Sequence, residues 1–189
     1  MGGGHFPDAE QFPQQVWELV GYLDSTLPDD HPFKKVRVQP EGKIAPELWL
    51  LGSSDYSGLL AAQLGVRFSF AHFINAQGGD LVMRAYKDRY QSSGHEPRPH
   101  TSLCCFVNCA ASDDEAEKRA FSNEELQYIR SQRPRAVIGS PETCTEKLLD
   151  LAGKFSAAEL MVLTITGDYA SRLASYELLA KAFELATAG

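Results

Sequence analysis

The stretch Glu47 to Ala71 reads ELWLLGSSDYSGLLAAQLGVRFSFA and leaves the chain few choices. Leu48, Trp49, Leu50 and Leu51 form a continuous apolar run, the pattern of a parallel strand covered on both faces. Gly52, Ser53 and Ser54 follow, where the chain must turn sharply and begin a helix. Ser54 is placed to cap that helix, since its hydroxyl can accept from a first-turn amide. Ser57, three residues on, returns to the same side of the turn. Leu59, Leu60, Ala61 and Leu64 make the expected inner face, and Gly65 ends the helix. Val66 to Ala71 is then a second buried strand. A strand, a turn, a helix and a strand of this kind are a βαβ unit, which commits the chain to an α/β fold.

The turn at Gly52 to Ser57 has two readings. A helix N-terminus with free amides, two hydroxyls and a glycine suits a phosphate. It is equally the make-up of an ordinary capped βα turn.

The rest of the chain repeats the alternation. Phe12-Pro13 opens a helix with proline in its first turn and an apolar stripe of Val16, Leu19, Val20 and Leu23, with Trp17 beside it. Residues 1–11 read as a loose N-terminus, and 12–189 as a single (β/α) domain. Val36 to Gly42 reads as either a strand or a loop. Asp80 to Tyr90 reads as a helix with Leu81, Ala85 and Tyr86 inward. Thr101 to Ala111 is a third strand. Ser112 with Glu115, and Ser122 with Glu125, are capping boxes for two following helices. Ala136 to Ile138 is a short extended piece after Arg133-Pro134. Ser140 and Pro141 then start a helix with Leu148, Leu149 and Ala152 inward. Glu159 to Thr166 is a fourth strand. Tyr169 to Ala186 is a closing helix, expected to bury Leu173, Tyr176, Leu179, Ala180 and Phe183. Four apolar strands separated by helices predict a parallel sheet.

Composition narrows the function. The chain has 189 residues, 43% hydrophobic and 23% charged, enough for a sizeable core. Its net charge of −7 argues against nucleic acid or an anionic membrane as the main partner. No apolar run approaches the ~20 residues of a membrane span. The start, Met1-Gly-Gly-Gly-His-Phe-Pro, lacks signal-peptide character, so a cytoplasmic setting is expected. Cys104, Cys105, Cys109 and Cys144 are not spaced as two zinc-binding pairs and are expected to be buried thiols. Alternation puts Cys105 and Cys109 on one strand face and Cys104 on the other.

Beyond the turn, His72 follows a strand end and is the one weak candidate for acid–base work; otherwise it is a loop histidine bonded to backbone. Thr164 and Thr166 either line the same strand-end mouth or fill a strand. Arg172 meets an anion there or sits in a surface ion pair. His95 and His100 flank a polar connection, and nothing pairs them into a metal site.

Three segments carry a family resemblance. LLGSSDYSGLLAAQLGVRFSFAHF (Leu50 to Phe73) resembles the fifth-strand region of the bacterial luciferase-like flavin monooxygenases. VIGSPETCTEKLLDLA (Val137 to Ala152) resembles their penultimate segment, and ELMVLTITGDYASRLASYELLAKAF (Glu159 to Phe183) their closing strand and helix. The helix Phe12 to Leu23 is similar to the one before the fifth strand. The resemblance implies a parallel (β/α) half-barrel, strands five to eight of a TIM-barrel-like luciferase fold. It implies FMN as cofactor, with Gly52, Ser53, Ser54 and Ser57 at its phosphate. The implied activity is oxidation of a small organic substrate, such as an aldehyde, by reduced flavin and O2. The alternative is a non-catalytic flavin-binding or subunit-interaction half-barrel. Either way, two open strand edges imply a homodimer or a complementary half-barrel as partner.

Overall fold

The computed structural model describes residues 9–37, 39, 46–93, 96–119 and 133–185. They fall into two compact units, Met1–Trp49 and Leu50–Gly189. In the first, α1 (Phe12–Leu23) has proline in its first turn, as its sequence demands. A side chain at Gly21 would strike Leu27, 2.6 Å from the position of its Cβ, so the segment after the helix can fold back closely. His31 is edged by Trp17, Tyr22 and Phe33, with its Nε2 3.4 Å from a Glu18 carboxylate oxygen. Residues 36–37 are not in a strand, and most of 38–45 lies outside the described residues.

The second unit is built on five parallel strands: β1 (Trp49–Gly52), β2 (Arg67–Ala71), β3 (Thr101–Cys109), β4 (Ala136–Gly139) and β5 (Glu159–Leu163). The helices between and after them are α2 (Asp55–Leu64), α3 (Gly79–Asp88), α4 (Asp113–Arg119), α5 (Pro141–Phe155) and α6 (Tyr169–Ala182). The piece Ala136–Gly139, expected only to be extended, is a fifth strand of the sheet. The expected capping box at Ser122 and Glu125 lies outside the described residues.

β3 is the hub. It pairs with β2 over Thr101–Cys104, with β5 over Ser102–Phe106 and with β4 over Phe106–Cys109. Alternate residues of a strand present their polar backbone groups to opposite edges. The Cys104 carbonyl accepts from Phe73 N on the β2 side, and Thr101's accepts from Ala158 N on the β5 side. Ala110 N, in phase with Cys104, donates to the Gly139 carbonyl, so β4 lies on the β2 edge. β2 leaves β3 after Ala71, and β4 takes up the vacated edge from Ala136. On the other edge β5 stops at Leu163, shorter than expected, and Cys109 N, in phase with Thr101, donates to Ser175 Oγ of α6 at 2.9 Å. Thr164 and Thr166 therefore lie beyond the strand, Thr164 buried with its Oγ1 3.4 Å from Ser175 Oγ.

The helices bury part of each face expected, with Tyr86, Leu148 and Leu179 inward, but each face is turned from the one expected. α3 turns in Val82, Met83 and Tyr86, while Leu81 is 61% exposed. α5 turns in Cys144, Leu148 and Phe155, and Leu149 stays out. α6 sits on β3 through Ser175 and Leu179, which rotates Leu173 and Tyr176 outward. In each case apolar residues on two neighbouring faces fit the helical period, and the element packed against the helix selects one. Leu51 is also exposed, so β1 is covered on one face only. Glycines set the close approaches: Gly58 faces Val82 across α2 and α3, and Gly79 faces the rings of Phe70 and Phe155.

Phe155, Phe70 and Gly79 lock α5, β2 and α3 together, with the two rings 5.6 Å apart. Truncating this fully buried ring leaves a cavity, so Phe155→Ala should lower the unfolding free energy by about 3–5 kcal/mol in urea denaturation. A change within the noise of the fit would show that the ring is not packed as described.

Candidate functional site

The turn between β1 and α2 is formed by the residues singled out in the sequence. Ser54 is the N-cap in an extended conformation, and its Oγ accepts from Ser57 N at 3.4 Å. Ser57 Oγ accepts from Ser54 N at 3.3 Å and donates to the Ser54 carbonyl at 2.7 Å. This is a reciprocal capping box with serine in place of the more usual glutamate. The Ser57 side chain packs against Gly52, where any Cβ would collide with its hydroxyl. Gly52 is thus required by Ser57, and the box by both serines. Gly65 closes the helix in the left-handed conformation, φ 61°.

The Ser57 hydroxyl both accepts and donates in the box, while the Ser54 hydroxyl accepts there and keeps its proton for Ser57 Oγ, 3.3 Å away, or for a ligand. The first-turn amides of Asp55 and Tyr56 have no acceptor within the helix, because a helix leaves its leading N–H groups unpaired. They point out of the strand end, with the positive end of the helix dipole behind them. Ser53 is half-buried, and Ser54, Asp55 and Tyr56 are exposed. The turn therefore offers amides, a partial positive charge and no bulky side chain at Gly52, a combination that fits a phosphate.

His72 sits elsewhere. It is 3% exposed, with its ring edge-on to Phe155 at 5.6 Å and its Nδ1 without a hydrogen-bond partner. Burial holds its pKa below the ordinary value against an opposing backbone hydrogen bond with Arg135, and the charge of Lys154 adds to the lowering. Arg135 directly precedes β4, so His72 lies where β2 gives way to β4, in line with the Phe70–Phe155 contact. These contacts include no residue of the serine turn. Arg172 lies over the Tyr169 ring at 5.4 Å, and His100 Nε2 is 2.8 Å from Glu159 Oε1. His95 lies outside the described residues.

One arrangement at the strand ends was not foreseen. Ser140 caps α5 as expected, accepting from Thr143 N at 3.3 Å. The Asp113 carboxylate at the start of α4 also accepts from Ser140 N at 2.6 Å and from Thr143 Oγ1 at 3.2 Å. These bonds hold the Asp113 carboxyl below the usual carboxylate range, the Ser140 amide contributing most. The N-terminus of α5 therefore has a carboxylate brought from another element onto its cap, whereas α2 has only Asp55 of its own first turn. The cap was legible from Ser-Pro-Glu. Asp113 was not, because it comes from another element.

Among the described residues, no group of three or more His, Cys, Asp or Glu side chains can hold a metal ion. No helix among them is long and apolar enough to cross a membrane.

Known proteins can now be set beside this geometry. The chain is 35% identical to the uncharacterized protein YwcH of Bacillus subtilis (strain 168), over 97% of this chain and 64% of that one. It is 29% identical to a luciferase-like monooxygenase of Escherichia coli (strain K12), over 86% of this chain and 48% of the relative. The crystal structure of apo-MsnO8 superposes with a TM-score of 0.82 at 30% identity, covering 97% of this chain and 63% of that one. These likenesses support membership in the luciferase-like flavin monooxygenase superfamily. The chain spans less than two thirds of the length of each of these relatives. A type II Baeyer–Villiger monooxygenase solved in complex with FMN shares the fold, with a TM-score of 0.58 at 20% identity, covering 82% of this chain and 52% of that one. No protein-family model matches the chain. The parallel sheet with interleaved helices matches a TIM-barrel-like luciferase fold.

His72 gives a pH test of its burial. The unfolded chain binds the histidine proton more readily than the folded one, so stability is full above about pH 6.5 and is lost as pH falls below it. The stability of the native chain relative to His72→Phe should decline over that acid range in denaturant titrations. A pH-independent difference would mean that His72 is not held neutral.

Proposed function

We propose that the chain is the C-terminal half of a luciferase-like flavin monooxygenase barrel, with the FMN phosphate at Gly52, Ser53, Ser54 and Ser57. The observation that carries this reading is the α2 N-terminus. Its cap is complete, its leading amides have no partner within the helix, and Ser54, Asp55 and Tyr56 are exposed. The α5 N-terminus, by contrast, is filled by Asp113. Further support comes from the luciferase-like relatives and from the FMN-bound neighbour of the same fold.

In this reading the strands correspond to five through eight of the family barrel, with the short β4 added. Bound FMN supplies the redox chemistry: in its reduced form it lets O2 oxidise a small organic substrate such as an aldehyde. The chain's own part is binding and orientation. The amides of Asp55 and Tyr56 would hold phosphate oxygens. The Ser54–Ser57 box fixes the direction of those amides, and Gly52 leaves Ser57 the room to form it. His72 is not assigned a proton-transfer role, since its contacts lie between β2, β4 and α5. The setting proposed is cytoplasmic.

A substitution can separate capping from phosphate binding. Aspartate caps helices as well as serine does, but it brings a negative charge to the ligand. Ser54→Asp should keep the melting temperature near that of the native chain and weaken FMN at least about tenfold, by fluorescence quenching. Riboflavin, which has no phosphate, should be unaffected. Equal FMN affinity in the variant would remove this turn as the phosphate site.

A second reading, a subunit-interaction half-barrel with or without turnover, is favoured by one observation. β5 pairs Met161 with Cys104 and Leu163 with Phe106, on the sheet face opposite α5, and Met161 is 52% exposed and Leu163 38%. An apolar inner face of this kind calls for a second copy or a complementary half-barrel. Sedimentation velocity should then show an assembly larger than one chain, or a stable complex with a complementary half, and Met161→Lys should dissociate it. A folded native monomer that binds no such half would exclude this reading.

A further inference from the structure

The four cysteines have no part in the proposed flavin site, and two of them meet. Cys109 ends β3, and Cys144 lies in the first turn of α5; both are fully buried. Gly139 is the ladder partner of Cys109, and Cys144 Sγ is 3.5 Å from the Gly139 carbonyl oxygen. Gly139 thus neighbours both residues, Cys109 across the ladder and Cys144 through its thiol. The other two cannot reach this pair: Cys104 faces the opposite side of β3, and Cys105 lies four residues, two pleat repeats, nearer the start of the strand. The surroundings of the pair are held in place. Ser175 Oγ accepts from Cys109 N, Ala110 N donates to the Gly139 carbonyl, and Asp113 holds Ser140 and Thr143.

We propose that Cys109 and Cys144 are a latent dithiol, which closes to a disulfide when the chain meets a peroxide and ties β3 to the first turn of α5. One thiolate attacks a peroxide oxygen, the O–O bond breaks, and a sulfenic acid and one water result. The second thiolate attacks that sulfur and expels hydroxide, which takes up a proton as a second water. Two S–H bonds are lost and one S–S bond is gained, and hydrogen peroxide is reduced to two waters.

Burial governs when this happens. It raises both thiols, Cys144 to about 12, so at neutral pH the closed protein holds them protonated and slow to react. Oxidation then proceeds through local opening of α5's first turn and quickens with pH. The bridge closes a long loop of chain and so stabilises the oxidised form. This inference stands without the flavin reading.

The test uses the full chain, folded and treated with hydrogen peroxide at mildly alkaline pH, then alkylated after unfolding and mapped by mass spectrometry. The expected result is one disulfide, Cys109–Cys144, with a loss of two hydrogen masses and with Cys104 and Cys105 alkylated. The oxidised protein should melt several degrees higher than the reduced one, and dithiothreitol should reverse the shift. In Cys144→Ala both the mass change and the melting shift should vanish. Recovery of all four cysteines alkylated, a bridge through Cys104 or Cys105, or oxidation to sulfinic acid at Cys109 without a bridge would overturn the proposal. Because the map is made on the native chain, the result does not depend on the variant folding.

Discussion

The backbone of β3 is the constraint on which the second unit depends. A parallel strand buried on both faces must satisfy every amide and carbonyl from its edges, because water cannot reach them. Here the edges are supplied in relays. β2 serves one edge as far as Cys104, and β4 takes over from Phe106. β5 serves the other as far as Phe106, and beyond it a helix side chain, Ser175, takes the Cys109 amide. The order of the helices follows from this. α5 must begin where β4 ends, so its N-terminus and the Cys109–Cys144 contact fall at the strand-end rim. α6 must cross to β3 to deliver Ser175, which decides the face that it buries.

What could be read from the sequence follows the range of the interactions. The serine turn was legible in full, because Gly52, Ser54, Ser57 and Gly65 act on each other within one βα unit. Every bond of the box spans three residues. The Ser140-Pro141 start of α5 was legible for the same reason. The faces of α3, α5 and α6 were legible only in part, through Tyr86, Leu148 and Leu179. Leu81, Leu149, Leu173 and Tyr176 fit the helical period as well as the residues actually buried, and only the neighbouring element decides between two adjacent stripes. β4 was underestimated because four residues carry little periodic signal; its place is set by the edge that β2 abandons. Asp113 and Ser175 act across 27 and 66 residues of sequence, and nothing in their local context announces it.

Comparing the two helix N-termini sharpens the reading of the site. α2 and α5 both begin after a strand, with a glycine and a serine cap, and both carry the same dipole, though Pro141 leaves α5 one leading amide fewer. They differ in what stands in front of them. At α5 an internal carboxylate satisfies the Ser140 amide, and the position of the Gly139 Cβ is hemmed in by Thr143 and Asp113, 2.6 and 2.8 Å away. At α2 the collision at Gly52 comes from Ser57, a residue of the helix itself, and the outward side remains open to solvent. A helix whose only need were stability would gain from an internal anion at either position.

The role of the hydroxyls follows from the same geometry. In the box, Ser57 donates to the Ser54 carbonyl and accepts from the Ser54 amide, while Ser54 Oγ accepts from the Ser57 amide. Ser57 cannot turn to a ligand without releasing part of the cap, which is worth about 1 kcal/mol, whereas Ser54 can donate its proton while it accepts in the cap. The binding power of the turn toward an anion therefore rests mainly on backbone amides and the dipole, and the serines hold the geometry. At Gly52 the absence of a Cβ serves the cap itself: it gives Ser57 the room to close the box, its hydroxyl lying against the place where a Cβ would stand.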